Sequence, residues 1–134
     1  MVMVADCGPV IRFDPEKRVS AVVHAGWRGT VQHISANTIT LMKQRFGCNP
    51  ARILAGIGPS IGPCCYEVGE DVRDCASQSF GTSEGYLIQK KDSQKPHFDL
   101  WFANRKQLTD MGLKHENIET AALCTQCNAD TFFS

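Results

Sequence analysis

The stretch Val19-Ser20-Ala21-Val22-Val23-His24-Ala25-Gly26-Trp27-Arg28-Gly29-Thr30 decides the fold. Val19 to His24 is β-branched and strand-like. After Gly26 the period changes, and Val31, Ile34, Thr38, Leu41, Met42 and Arg45 fall on one helical stripe opposite His33, Asn37 and Gln44. Thr30 is the expected N-cap and Gly47 the expected stop. A strand that runs straight into a helix leaves polar side chains at its end.

The same alternation continues outward. Val2 to Ala5 and Pro9 to Phe13 read as two earlier strands, and Asp14-Pro15-Glu16-Lys17 as the turn of a hairpin joining Pro9–Phe13 to Val19–His24. Downstream, Arg52 to Ile57 reads as a strand. A helix is expected from about Glu67, with Val68, Val72, Cys75 and Ser79 on one side and Glu67, Glu70 and Asp71 at its dipole-positive end. A short strand is expected at Tyr86-Leu87-Ile88, and then a Lys-rich loop. A third helix is capped by Asp99 and runs to Met111, and a last strand runs from Ile118 to Leu123. The order βββαβαβαβ predicts an α/β fold, a layered α/β sandwich with a mixed sheet.

The chain has 134 residues, 43% of them hydrophobic, which suits one domain over residues 1–134. Fourteen Lys and Arg balance fourteen Asp and Glu, so the charge gives no reason to expect nucleic acid or an anionic membrane as partner. No apolar run approaches the roughly 20 residues of a membrane helix, and no secretion signal is apparent. Seven cysteines in no disulfide-scaffold pattern read as reduced, which suggests a cytoplasmic protein. Met1-Val2-Met3-Val4 begins as a buried strand and Thr131-Phe132-Phe133-Ser134 ends on aromatics, so the chain reads as a fragment.

Cys7, after Ala5-Asp6, and His24 both lie at strand ends. They are two ligands of one metal, a nucleophile and its base oriented by Asp6, or a buried Cys beside a core His. A catalytic zinc needs three protein ligands, and only two are visible. Gly26-Trp27-Arg28-Gly29-Thr30 lets backbone approach a ligand, with Arg28 as a planar fork for phosphate or carboxylate. The bland alternative is a tight turn with a surface Arg. Gly58-Pro59-Ser60-Ile61-Gly62-Pro63 is either a source of backbone donors, at Gly58 and Ser60, or a plain turn. Packing is the default for Cys64-Cys65, and Glu67 reads as a surface carboxylate before a general acid.

Cys124-Thr125-Gln126-Cys127 has CxxC spacing, but no second such pair follows for a structural zinc and no helix opens there for a redox motif. Asn104 and Gln107, on the inward stripe of the third helix, are expected to tie down a loop. His33, His97 and His115 read as surface residues.

Ala5-Asp6-Cys7, His24 to Thr30, Gly58 to Gly62, Cys65-Tyr66-Glu67-Val68-Gly69, Phe98-Asp99-Leu100, Asn104, Gln107-Leu108 and Cys124-Thr125 stand in the order of one family's motifs. Together they resemble the proteins once described as multicopper polyphenol oxidases (laccase domain) and now as zinc-dependent purine nucleoside phosphorylases with adenosine deaminase activity. The resemblance implies an α/β sandwich distantly akin to bacterial toxin deamidases with a Cys–His pair. It implies zinc bound by two His and one Cys, of which Cys7 and His24 match two; the remaining His belongs upstream of Met1. Family members also continue past Ser134, so the chain departs by truncation at both ends.

The chemistry implied is deamination of adenosine by zinc-activated water and phosphorolysis of adenosine or inosine. Its partners are a purine nucleoside and phosphate. On our own reading of the turn, Arg28, with Gly29 and the helix start at Thr30, faces the phosphate, and Cys7, His24 and Arg28 are the expected catalytic residues. The competing readings are a metal-free Cys–His hydrolase or deamidase, a copper polyphenol oxidase, and a truncated domain that no longer binds metal. Four histidines without a His-x-His pair suit copper poorly. The sequence leaves a homo-oligomer open.

Overall fold

The computed structural model describes all 134 residues. β1 (Gly8–Asp14) and β2 (Val19–Ala25) form the expected antiparallel hairpin, with Gly8 opposite Ala25 and Asp14 opposite Val19. Asp14 closes the turn: its Oδ1 accepts the backbone N–H groups of Glu16 and Lys17 at 2.9 and 3.1 Å. β3 (Leu54–Ile57) pairs antiparallel with the other edge of β1, and β6 (Ile118–Thr120) pairs parallel with β3. The sheet is therefore mixed, in the order β2-β1-β3-β6.

Alternation along β1 turns Val10, Arg12 and Asp14 inward and leaves Ile11 and Phe13 exposed on the other face, beside Val22 and Leu54. The inward face is covered by α2 (Ile34–Phe46) and α4 (Leu100–Asp110). Ile39, Met42 and Leu108 close over Val10, Ala25 and Ile57 there. A second core packs α3 (Glu70–Phe80) against the two-stranded pair β4 (Leu87–Ile88) and β5 (His97–Phe98), centred on Phe98, Val72, Ala76 and Leu100.

Several expectations are corrected. Residues 2–5 form no strand. The first helix starts before Thr30: α1 (Trp27–Val31) breaks at His33, whose φ of 59° is left-handed, and α2 begins afresh at Ile34. That break resets the helical phase, so α2 buries Ser35, Ile39 and Met42 while Leu41 faces solvent. α3 begins at Glu70, three residues after Glu67, and buries Val72 and Ala76, with Cys75 exposed. β6 stops at Thr120 because Ala122 adopts a left-handed φ of 52°. His97 is a buried strand residue, and the half-buried His33 meets the Ser79 hydroxyl at 3.0 Å; neither is a surface histidine. His115 is exposed, as expected.

Candidate functional site

The hairpin register brings the two strand-end residues together. With Gly8 opposite Ala25, Cys7 falls beside Gly26, one residue past the end of β2. A Cβ placed on Gly26 would lie 2.7 Å from Cys7 Sγ and 3.8 Å from His24 Nε2, so both donor atoms crowd one point. Only glycine leaves room for the sulfur there. Met3, Val4, Ala5, Asp6, Cys7, His24 and Phe133 line an open cleft of about 550 Å³ at this point.

Burial and then the Asp6 carboxylate push the Cys7 thiol up, which does not suit a self-activated nucleophile. Nor does Asp6 orient His24. Its Oδ1 accepts the hydroxyls of Thr125 at 2.8 Å and Ser134 at 2.7 Å.

Arg28 is exposed on α1, its guanidinium 4.7 Å above the Trp27 ring. Gly29 allows α1 to pass close to β2, since a Cβ there would lie 3.3 Å from the His24 carbonyl. Thr30 does not serve as an N-cap. Its backbone N–H donates to the Gly26 carbonyl, and its buried hydroxyl accepts from Asn104 Nδ2 at 3.1 Å. The two amides of α4 hold this bend as expected: Asn104 also accepts from Ser35 Oγ at 2.7 Å, and Gln107 donates to the Thr30 carbonyl at 2.8 Å.

Gly58 and Ser60 follow β3 and pack against Pro9 and Gly8. The Gly58 N–H donates to Pro9 O and the Ser60 N–H to Leu123 O, while Ser60 Oγ accepts from Trp101 Nε1 at 2.7 Å. Neither amide is free for a ligand. Glu67 is exposed and accepts from Ser93 Oγ at 3.0 Å, as a surface carboxylate should.

Two features escaped the sequence reading. Tyr66, stacked on Phe98 with ring centroids 6.2 Å apart, lies within the electrostatic reach of both Cys7 and Arg28. Burial, then the Cys7 charge, pushes its phenol up to about 12, so it stays a proton donor at neutral pH. The sulfurs of Cys64, Cys65, Cys124 and Cys127 all lie within 4.8 Å of one another. The CxxC pair thus has a partner pair after all, in adjacent cysteines rather than a second CxxC. The signal was present as two pairs of cysteines, but only the fold places Ser60 against Cys124 and so brings the pairs together.

All 134 residues match the family described as multi-copper polyphenol oxidoreductase laccase. The chain belongs to that family. A purine nucleoside phosphorylase of Bacteroides thetaiotaomicron is 38% identical over 133 residues, covering 99% of this chain and 49% of that protein. Human purine nucleoside phosphorylase LACC1 is 34% identical over 97% of the chain and 30% of that protein. Adenosine deaminase RL5, from an unknown prokaryotic organism, is 35% identical over 99% of the chain and 50% of that protein.

The crystal structure of Bacillus licheniformis YfiH superposes with a TM-score of 0.89 at 36% identity, over 98% of this chain and 49% of that one. The chain therefore spans about half the length of these prokaryotic family members. No helix in it is long and apolar enough to cross a membrane.

Proposed function

We propose that the chain forms part of a zinc-dependent purine nucleoside enzyme. It would cleave adenosine or inosine by phosphorolysis and deaminate adenosine. The convergence of Cys7 Sγ and His24 Nε2 over Gly26 carries this reading, and the similarity to a purine nucleoside phosphorylase and an adenosine deaminase supports the substrate class.

A thiolate and an imidazole suit zinc, which takes three protein donors and one open position in catalytic sites. Cys7 and His24 would supply two of these donors. Zinc bound there would supply a water of lowered pKa for deamination. The exposed Arg28 fork holds the phosphate anion, braced by the Trp27 face. Tyr66, kept un-ionised by burial, would be available as a hydrogen-bond donor within reach of Cys7 and Arg28.

The test is an adenosine-plus-phosphate assay on zinc-loaded protein, in which hypoxanthine, adenine and inosine are resolved. Chelator and Cys7→Ser should both abolish turnover, and Arg28→Ala should depress phosphorolysis more than deamination. Turnover unchanged by chelation and by Cys7→Ser would overturn the zinc reading in favour of a metal-free enzyme.

A further inference from the structure

We propose that Cys64, Cys65, Cys124 and Cys127 bind a second zinc ion, structural and separate from Cys7 and His24. Their sulfurs converge within 4.8 Å, from two loops distant in sequence. Cys127 Sγ lies 3.4 Å from Cys65 Sγ and 3.6 Å from Cys64 Sγ. A tetrahedron of thiolates with Zn–S near 2.3 Å has edges of about 3.8 Å, so these separations sit close to that geometry. All are free thiols, well beyond the roughly 2.05 Å of a disulfide bond.

The donor chemistry agrees. Four sulfurs and no oxygen or nitrogen ligand select zinc over hard cations. The Gly62 backbone N–H donates to Cys124 Sγ at 3.2 Å, the kind of supporting contact that steadies a metal-bound thiolate. Cys124 is buried and Cys64 and Cys127 are exposed, so the site would be covered on one side and open to solvent on the other. Binding displaces the thiol protons to solvent and changes no oxidation state.

The loops involved explain what such an ion does. The Ser60 N–H bonds to Leu123 O at 3.2 Å and the Thr125 N–H to Ser60 O at 3.1 Å, so backbone already joins the two segments. Each also reaches Asp6: the Ile61 N–H donates to its carbonyl at 2.8 Å, and Thr125 Oγ1 donates to its carboxylate at 2.8 Å. A zinc knot here fixes the floor on which Asp6 and Cys7 rest.

The experiment measures metal and thiols in the reduced chain, after zinc loading and removal of free metal. The Cys7→Ser/His24→Ala double variant eliminates the other candidate site and should still retain about one equivalent of zinc, as a closed structural site does. In that background Cys127→Ser should weaken zinc by at least about 100-fold, the upper end of what losing a mere supporting contact produces. Cobalt in place of zinc should give the intense sulfur-to-metal charge transfer of a tetrahedral thiolate site.

Should Cys127→Ser fail to fold, thiol labelling of the unaltered double variant decides. Zinc should protect Cys64, Cys65, Cys124 and Cys127 together and leave the exposed Cys75 reactive. Three results would overturn the proposal. They are no retained metal in the double variant, thiol labelling indifferent to zinc, or a Cys64–Cys127 or Cys65–Cys127 disulfide that persists under reduction.

Discussion

Gly26 and Cys7 are in such close register that a single methyl group on the first would lie 2.7 Å from the sulfur of the second. Neither backbone can yield, because Gly8 and Ala25 are paired in the hairpin and the Gly26 carbonyl accepts the Thr30 N–H of α1. Gly26→Ala must therefore rotate the Cys7 side chain. We expect kcat/KM to fall by at least about tenfold, more than 1.4 kcal/mol of transition-state stabilisation, with the urea midpoint little changed. An active Gly26→Ala enzyme would show that the sulfur position is not critical.

Asn104 locks the bend that presents Arg28. Its amide donates to Thr30 Oγ1 and accepts from Ser35 Oγ, and all three residues are buried. In Asn104→Ala both hydroxyls lose their partner, and each unsatisfied buried group costs about 1–3 kcal/mol. The urea midpoint should drop accordingly. Asn104→Asp, which keeps the Ser35 acceptor and loses the donor to Thr30, should fall between. Equal stability of all three proteins would mean that water replaces the amide.

The hairpin, the mixed sheet and the placement of Cys7 and His24 near strand ends were legible because β alternation and a short Asp-Pro turn are local signals. The buried amides at Asn104 and Gln107 were legible too, since polar residues on an inward stripe need partners. What the sequence hid depended on long-range pairing or on backbone sign. Nothing local marks His33 as left-handed, yet that residue follows the end of α1 and shifts the phase of α2. Cys64-Cys65 and Cys124–Cys127 meet only because Ser60 bridges to Cys124 across the chain. His97 is buried by a strand pair two residues long, too short to show a period.

Asp99 sets a pH dependence whose sign follows from its surroundings. It caps α4 by accepting the Phe102 N–H at 2.9 Å, but burial raises its carboxyl above 3.8, outweighing the Phe102 and Trp101 amides that lower it. Between 3.8 and that raised value, the folded state holds more protons than the unfolded state. Asp99 therefore favours folding at the acid end of this window, and its contribution is lost as pH rises through the folded value. Asp99→Asn keeps a capping oxygen and cannot titrate. Urea midpoints measured from about pH 3.5 to about pH 6.5 should fall less steeply, or rise more steeply, for Asp99→Asn than for the parent. Parallel profiles would rule out Asp99 as the source.

Arg12 offers the sharpest test of the core. It points inward from β1 and is fully buried, yet Nη1 donates only to the Val10 carbonyl at 3.1 Å, and Nε and Nη2 have no partner. Burial lowers its guanidinium to about 10, so it remains charged at neutral pH on the same inward face as Asp14, with which it forms no ion pair. A buried charge without a matched counter-ion opposes folding, and hydrophobic replacements of similar volume can gain about 1–4 kcal/mol. Arg12→Met fills the same space with a flexible side chain and should raise the urea midpoint at constant m-value. Arg12→Ala also removes the charge but leaves a cavity, so it should be less stable than Arg12→Met by about 2–5 kcal/mol. A destabilised Arg12→Met would instead mean that the guanidinium is satisfied in solution and contributes to the core as it stands.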